Sequence, residues 1–444
     1  MYETCQLRLL ITRFLILIVL INMVSGCSME NRLRKAARQE IFRTSAFKTA
    51  HAGISIYDPQ AGKFLYDYQG DKYFIPASNT KIPTCYAAMK WLGDSLRGLD
   101  YLETDSMIFI RSTGDPTLLH RDFKEQRVFS FLKSVNKKLA FVFPKWEAEV
   151  YGSGWAWNDF TEAYMAERTD LPVYGNVIEY RLVNEENKLK LKGDINYYRH
   201  ALNYYVDPLS ANVRIRRRRH DNIFDVYNSR LNFEKVQLPF RTFENQRLLE
   251  DTLKKTWLND VYPPSDITFN RIHSIPTDTI LKIMMHRSDN FFAEQLLLMS
   301  ANEMLGVMNE AKLIDTLLKS AFKDLPQRPR WVDGSGLSRY NLFTPRDMVV
   351  ILDKMSKEFG MERIQEIFPT GGEGTITNYY KEITGNLFAK TGTLSGVVAL
   401  SGYLYTQDKK LLLFSILVNN HQASSTDIRK TVEKFILRIW KLDR

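Results

Sequence analysis

Alternating apolar and polar residues near the start of the globular region predict a pair of strands. Residues 53–58 alternate around Ile54 and Ile56. Turn-forming residues at 59–62 separate this run from 63–68, which alternates again. Two alternating runs joined by a short turn are typical of a β-hairpin. The sequence therefore predicts two antiparallel strands here.

The end of the chain carries a second strand pair. Residues 397–405 and 411–418 are both strand-like, and residues 407–409 supply the turn between them. The run 411–418 is almost wholly apolar, which is typical of a central strand covered on both faces. We expect the first and last strands of the chain to share one sheet.

The last segment, 426–442, has the periodicity of a helix. Its apolar residues recur at the spacing of one helical face, namely Ile428, Val432, Phe435, Ile436 and Ile439. Thr426 is the predicted N-cap, because a threonine hydroxyl can accept a hydrogen bond from a free amide of the first turn. Sheet and helix together predict an α+β fold in which an antiparallel sheet is flanked by helices.

Residues 118–270 differ in character from the rest of the chain. They contain many aromatic residues, short alternating runs and polar turns, so we predict a β-rich insertion domain. The catalytic domain is then predicted to combine residues 28–117 with residues 271–444.

A basic run lies inside the predicted insertion, at residues 214–220 (Arg-Ile-Arg-Arg-Arg-Arg-His). Such a run can bind nucleic acid or an anionic glycan. It is also what an exposed, solvated strand or loop looks like, and we prefer that interpretation. Nucleic acid is not expected as a partner, because an exported protein rarely meets it.

The N-terminus predicts export and lipid attachment. The apolar run 14–21 follows two arginines and is too short for a bilayer, which needs about 20 apolar residues. It fits the central region of a secretory signal. Small residues at 24–26 then precede Cys27, an arrangement that resembles a bacterial lipobox, although an uncleaved anchor is the alternative. We therefore expect a signal peptide at 1–27, a lipid on Cys27, and a polar tether at 28–43.

Composition adds limits rather than a function. The chain has 444 residues, is 44% hydrophobic and carries a formal net charge of +10, which permits but does not select an anionic partner. Three cysteines are too few for a disulfide framework. Two of them lie in the signal region, and Cys85 is expected to be a small buried residue on a helix.

The first candidate catalytic motif is Ser78-Asn79-Thr80-Lys81, at the start of an apolar helix. A serine three residues before a lysine puts both side chains on one face of a helix. Serine becomes a nucleophile when a base takes its proton, and a lysine of lowered pKa can be that base. The context singles out Ser78, because the same spacing begins at four other serines, Ser45, Ser130, Ser134 and Ser320.

Two further motifs follow in the chain. Ser288-Asp289-Asn290 lies between two helical segments, where a short loop can present a hydroxyl and an amide to a cleft. Lys390-Thr391-Gly392 precedes a strand and is followed by Thr393. A lysine and a threonine hydroxyl suit a carboxylate, and the glycine lets a ligand approach the backbone closely.

These motifs, in this order, resemble those of the serine penicillin-recognising enzymes. Further blocks resemble one branch, the penicillin-binding protein 4-like D-alanyl-D-alanine carboxypeptidases of peptidase family S13, and these blocks lie at 114–118, 333–339, 371–376, 389–394 and 400–403. A long insertion before the second motif is also known in that branch. The resemblance implies a β-lactamase/transpeptidase-like fold with a β-rich insertion, and no cofactor or metal.

The resemblance also implies roles for the motif residues. Ser78 is expected to attack the D-Ala-D-Ala peptide bond, with Lys81 as its base. Ser288 is expected to relay a proton to the leaving amine, and Asn290 to orient the substrate amide and Lys81. The expected partners are stem peptides of peptidoglycan, β-lactams as covalent inhibitors, and a membrane through the N-terminal lipid, with the chain on the periplasmic face of the outer membrane.

The third motif is expected to hold the substrate's terminal carboxylate. Lys390 is expected to lower the pKa of Lys81 and to attract the carboxylate, and Thr391 to hydrogen-bond it. The backbone N–H groups of Ser78 and Thr393 are expected to form the oxyanion hole, and Gly392 is expected to belong to the substrate-binding site with Thr391 and Thr393.

Other functions fit the sequence less well. A β-lactamase has the same motifs, but this sequence shows no clear deacylation acid and has a long insertion. An α/β-hydrolase is disfavoured because no Gly-x-Ser-x-Gly occurs, and a zinc peptidase because no His-Glu-x-x-His occurs. A catalytically silent protein that binds penicillin or cell-wall peptides is the main alternative. Whether carboxypeptidase or D,D-endopeptidase activity predominates stays open.

Overall fold

The computed structural model describes residues 29–185, 188–206, 214–228, 235–264 and 268–442. The predicted signal peptide and Cys27 lie outside the described residues. Among the residues described, no helix is both long enough and apolar enough to cross a membrane. The chain forms two compact units, the first from residues 1–82, 324–330 and 342–444 and the second from 83–323 and 331–341, as far as these are described.

The first unit is built on an antiparallel sheet. Its strands are β1 (His51–Asp58), β2 (Lys63–Tyr68), β14 (Leu387–Leu394), β15 (Val397–Tyr405) and β16 (Leu411–Asn419). Their order in the sheet is β14-β15-β16-β1-β2, and every neighbouring pair is antiparallel. The predicted hairpin, the predicted last strands and their shared sheet are confirmed. β16 lies in the middle and is buried along nearly all its length, as its apolar run predicted.

Helices cover both faces of this sheet. One face packs against the N-terminal helix α1 (29–37), which ends in the π-helical turn Arg38–Phe42, and against α10 (Ser425–Trp440). The other face carries α8 (Pro345–Phe359), followed by α9 (Met361–Ile367). The Tyr403 hydroxyl of β15 donates to the carbonyl of Leu352 on α8, which ties sheet and helix together. Burial from two sides explains why the inner strands are mostly apolar.

The prediction of a tether at 28–43 is wrong for the described residues. Residues 29–37 are helical, and Leu33, Ala37 and Ile41 are fully buried in the core of the first unit. These apolar residues recur every four positions among charged ones. That spacing is the signature of an amphipathic helix, so the sequence contained the signal.

The predicted N-cap of the last helix is also wrong. α10 begins at Ser425, and the Ser424 side chain accepts from the amide of Asp427 while donating to its carboxylate. Thr426 therefore lies inside the first turn. Serine and threonine are both good N-caps, so the composition of this segment does not decide between them.

The second unit contains three sheets. Their strands are β3 (Ser95–Glu103), β4 (Met107–Ser112), β5 (Lys138–Val142), β6 (Val177–Glu185), β7 (Lys188–Gly193), β8 (Leu202–Val206), β9 (Arg214–Arg217), β10 (Phe224–Asn228), β11 (Lys235–Pro239), β12 (Trp257–Leu258) and β13 (Asn270–Pro276). The sheet orders are β12-β5-β4-β3-β13, β11-β6-β7 and β8-β10-β9.

The β-rich character predicted for 118–270 agrees with these strands. The five-stranded sheet also takes in β3, β4 and β13 from outside that range. The domain limits at 117/118 and 270/271 stay a prediction.

The helices of the second unit include most of α2 (Lys81–Trp91), which begins in the first unit. The others are α3 (Arg127–Ser134), α4 (Asn245–Leu253), α5 (Thr277–Arg287), α6 (Asn290–Leu305) and α7 (Glu310–Lys319). Cys85 is fully buried on α2, as predicted. α6 is buried from Phe291 to Ala301, so the body of the helix is anchored in the interior of the unit, while Asn290 at its start is half-buried.

The preferred interpretation of the basic run was an exposed, solvated segment. The structure agrees with it for only part of the run. Arg214 and Arg216 are exposed, whereas Arg217 is 2% exposed. The Arg217 guanidinium donates to the carbonyls of Pro239 and Phe160. Adjacent residues of a strand point to opposite sides of its sheet, so one arginine of the run faces the interior and satisfies its donors there.

We predict that Ser424→Ala destabilises the protein by about 1 kcal/mol, because it removes the hydroxyl that caps α10. Thr426→Ala is the matched control and should change stability by less than about 0.5 kcal/mol, since Thr426 is exposed and does not cap the helix. Unfolding in denaturant, followed by circular dichroism, measures both. Equal losses in the two variants would contradict the assignment of the cap.

Candidate active site

Ser78 lies in a short 3-10 turn, Ala77–Thr80, immediately before α2. The turn begins with Ala77 at a positive φ of 47°, so the backbone bends sharply just before the serine. Ser78 is half-buried and Lys81 is fully buried. The Lys81 Nζ donates to the Ser78 Oγ at 3.2 Å. A candidate nucleophile and a candidate base are therefore within hydrogen-bond reach of each other.

Lys390, on β14, is a second fully buried lysine of the first unit. Its Nζ donates to the carbonyl oxygen of Thr391 at 2.8 Å. Burial, together with the like charge of Lys81, holds the pKa of Lys390 well below its ordinary 10.5. The same two causes, desolvation and a neighbouring cation, lower lysine pKa values in general.

β14 runs directly alongside the turn that carries Ser78. The Asn79 side chain donates from Nδ2 to the carbonyl oxygen of Lys390 at 2.9 Å. A Cβ atom on Gly392 would lie 2.7 Å from the Pro76 carbonyl oxygen and 3.0 Å from the Ser78 amide nitrogen. Only glycine fits so close an approach of two backbones, which explains the glycine of the third motif.

Hydroxyl groups extend this site along β14. The Thr391 Oγ1 donates to the Oγ1 of Thr375 at 2.7 Å, and Arg429 of α10 donates to the Oγ1 of Thr393 at 2.6 Å. Asn79, Thr375 and Arg429 are contacts that the sequence motifs did not assign. Thr375 lies in one of the conspicuous glycine-containing blocks, whereas nothing in the sequence singled out Arg429.

The first unit thus brings together Ser78, Lys81, Lys390, Thr391 and Gly392. Their arrangement offers a hydroxyl nucleophile, a buried amine within reach of its proton, and a second buried amine beside threonine hydroxyls, which suits an anionic group. Such a set can perform acyl transfer on a substrate that ends in a carboxylate.

The second motif belongs to the second unit. Ser288 separates α5 from α6 and has a positive φ of 60°. Asp289 caps α6 by accepting from the amide of Phe292 at 2.9 Å. The Asn290 Nδ2 donates to the carbonyl oxygen of Tyr164 at 3.0 Å. Loop conformation and helix cap together hold Ser288 and Asn290 at the start of a buried helix.

Ser288 and Asn290 both line a cleft of about 260 Å³ in the second unit, together with Tyr164, His120 and Arg287 among others. Burial lowers the pKa of His120 to about 4, against the opposing charges of Asp122 and Asp289. A histidine with this pKa is neutral at pH 7, so it offers the cleft an uncharged imidazole.

Two buried carboxylates, Glu294 on α6 and Asp333, form a polar network in the second unit. Glu294 accepts from the Ser335 amide at 2.7 Å and pairs with Arg168 at 3.3 Å. Asp333 accepts from the indole Nε1 of Trp155 at 3.0 Å. Burial and the charge of Asp333 raise the pKa of Glu294 to about 7, against the lowering effect of Arg168. The sequence analysis identified the block 333–339 by its resemblance to the family but predicted no role for its residues.

Known proteins resemble the chain over most of its length. D-alanyl-D-alanine carboxypeptidase DacB of Haemophilus influenzae is 23% identical, over 85% of this chain and 87% of that protein. The D-alanyl-D-alanine carboxypeptidase of Actinomadura sp. strain R39 is 26% identical, over 86% of this chain and 80% of that protein.

Solved structures resemble the chain as well. The crystal structure of penicillin binding protein 4 (dacB) from H. influenzae matches with a TM-score of 0.72 at 22% identity, covering 92% of this chain and 98% of that one. Its complex with a β-lactam matches with a TM-score of 0.67 at 21% identity, covering 88% and 96%. This likeness shows that the α+β fold is shared.

The profile of one protein family matches residues 35–438 of the sequence. That match spans all three motifs and the segments between them. The chain therefore belongs to the D-Ala-D-Ala carboxypeptidase 3 (S13) family.

Proposed function

We propose that this protein is a serine-type D-alanyl-D-alanine carboxypeptidase that cleaves stem peptides of peptidoglycan through an acyl-enzyme on Ser78. The observation that carries the proposal is the 3.2 Å contact between the Lys81 amine and the Ser78 hydroxyl, beside the buried amine of Lys390. The carboxypeptidase names of the relatives from H. influenzae and Actinomadura support it.

Two buried lysines supply the base. Because desolvation and mutual repulsion disfavour two ammonium groups in one buried site, the amines of Lys81 and Lys390 titrate as a pair. When the pair has lost one proton, a neutral amine at Lys81 can take the proton of Ser78. The Ser78 Oγ then bonds to the carbonyl carbon between the two D-alanines, and the developing oxyanion is stabilised by the backbone N–H groups of Ser78 and Thr393.

Collapse of this tetrahedral species breaks the peptide bond. The leaving amine of the terminal D-alanine takes up a proton, which Ser288 relays, while Asn290 holds the substrate amide. Lys390 and Thr391 bind the terminal carboxylate through a cation and a hydroxyl. The products of this half-reaction are free D-alanine and an ester on Ser78.

Water hydrolyses that ester and regenerates the serine. The same chemistry cuts a cross-bridge when the leaving amine belongs to a second stem peptide, which is the D,D-endopeptidase reaction. A β-lactam acylates the same serine through its strained amide. We further propose that a lipid on Cys27 attaches the chain to the cell envelope, facing the periplasm from the outer membrane.

We predict that purified protein is labelled covalently by a fluorescent penicillin and that Ser78→Ala abolishes the label, because the variant lacks the acylated oxygen. Ser130→Ala is the matched control. Ser130 begins another Ser-x-x-Lys match but is exposed on α3, so this variant should label like the wild type.

Mass spectrometry of the labelled peptide, together with release of D-alanine from a soluble tripeptide ending in D-Ala-D-Ala, completes the test. Label on Ser78 and release of D-alanine are the expected results. A folded protein that shows neither would rule out the proposed function and favour the catalytically silent binder.

We also predict how the rate of acylation of Ser78 depends on pH. At low pH both lysines of the pair are protonated and no base is available, so the rate should rise with pH in a window below the ordinary lysine pKa of 10.5. Lys390→Gln removes the neighbouring cation, so deprotonation of Lys81 should move to higher pH. The plateau rate should also fall by about 10²-fold, because the carboxylate loses its cation.

The measurement is the acylation rate by penicillin across pH. Lys390→Arg is the control, since it keeps a permanent positive charge at this position and should keep the rising limb near its wild-type pH. An unchanged limb in Lys390→Gln would refute the coupling of the two lysines.

A further inference from the structure

The basic run gives one sheet of the second unit an unusual outer face. In β9 the side chains of Arg214 and Arg216 are exposed, while Arg217 points inward. Arg218 follows on the outer side, where its guanidinium pairs with Asp225 of β10 and donates to the Tyr205 hydroxyl of β8. Alternation along the strand thus places three arginines on one side of the sheet.

Aromatic rings lie on the same side of the sheet. Strand register places Tyr227 opposite Arg214 and beside Tyr205. The two tyrosine rings stack at a centroid distance of 5.2 Å and an angle of 19°, and Tyr205 is 42% exposed. We call this surface, made of Arg214, Arg216, Arg218, Tyr205 and Tyr227, the β9 face.

The two faces of this small sheet have different partners. On the inner face Phe224 and Val226 are fully buried in the core of the second unit. On the β9 face, as far as its residues are described, three arginines lie beside one carboxylate, that of Asp225. Within the described residues, neither Arg214 nor Arg216 forms an ion pair. The next residue, Arg219, is exposed and stacks on the exposed indole of Trp157 at 4.4 Å, so the cationic and aromatic surface continues beyond the strand.

We propose that the β9 face is a docking surface for peptidoglycan, outside the site that performs the chemistry. This inference rests on the proposed function, since that function gives the chain an anionic glycopeptide polymer as substrate. Free carboxylates of the stem peptides complement the arginines, and sugar rings can pack against the exposed ring of Tyr205. Charged and aromatic groups on one exposed surface are the usual composition of such recognition sites.

Docking would raise the local concentration of cleavable peptides. A surface that holds a repeating polymer makes each later encounter with a stem peptide effectively intramolecular. Turnover of the polymer then depends on the β9 face, whereas turnover of a short soluble peptide does not. This difference separates docking from catalysis.

The test is co-sedimentation of the purified protein with insoluble peptidoglycan at low and high salt. Arg214→Gln/Arg216→Gln should bind roughly fivefold more weakly at low salt, and the difference should shrink at high salt because salt screens exposed charges. Arg127→Gln/Lys133→Gln, which removes the same charge from the exposed side of α3, is the matched control and should bind like the wild type.

Enzyme assays on the same variants complete the experiment. Release of D-alanine from peptidoglycan should need roughly fivefold more polymer in Arg214→Gln/Arg216→Gln, while release from the soluble tripeptide and penicillin labelling of Ser78 stay unchanged. Wild-type protein that neither labels nor releases D-alanine would defeat the proposed function alone, because sedimentation still decides whether the face binds the polymer.

Three results would overturn the docking proposal. The double variant could sediment like the wild type, or the α3 control could lose as much binding, which would assign the effect to net charge. The double variant could also lose binding to a duplex DNA fragment while keeping its binding to peptidoglycan, which would make nucleic acid the ligand of the face.

Discussion

Two lysine amines buried in the first unit impose the constraint on which the rest of this site depends. Lys81 and Lys390 are both inaccessible to solvent, and burial of an ammonium group carries a large desolvation cost. Hydrogen bonds offset part of this cost, because Lys81 donates to the Ser78 hydroxyl and Lys390 donates to the Thr391 carbonyl oxygen. Burial and the like charge of Lys81 also hold the pKa of Lys390 well below its ordinary value. The proposed mechanism depends on this destabilisation, because it requires one of the two amines to be neutral and able to act as a base.

The backbone around the two lysines is held by close contacts. A 3-10 turn with a left-handed residue at Ala77 presents Ser78, and Gly392 lets β14 approach that turn to within backbone contact. Asn79 then fastens the turn to β14 through the Lys390 carbonyl. These contacts hold Ser78 against β14, and the proposed mechanism takes its oxyanion donors from the backbone of both segments.

The second unit uses burial in a different way. The carboxylates of Glu294 and Asp333 are buried with Arg168 and with the indole N–H of Trp155. Removal of one partner from such a network leaves an uncompensated group, so the network fixes the start of α6, where Asn290 lies. The basic run follows the same rule that a buried charge needs polar partners. Arg217 is buried and donates to internal carbonyl oxygens, while Arg214 and Arg216 are exposed.

Local sequence patterns were enough to determine the strands of the first sheet, the helices beside the second motif and the residue types of all three motifs. These features depend on periodicity and short-range spacing, which can be read directly from the order of the residues. The sequence also contained the helix at 29–37, which its charged residues obscured. The sequence left open which of two good N-cap residues, Ser424 or Thr426, begins α10, and the local backbone decided it. Tertiary structure alone decided that Arg217 turns inward and that Asn79 and Arg429 contact the third motif. These contacts depend on which atoms lie within reach of a side chain in the folded protein. The atoms are far apart along the chain, and the sequence does not give their distances in space.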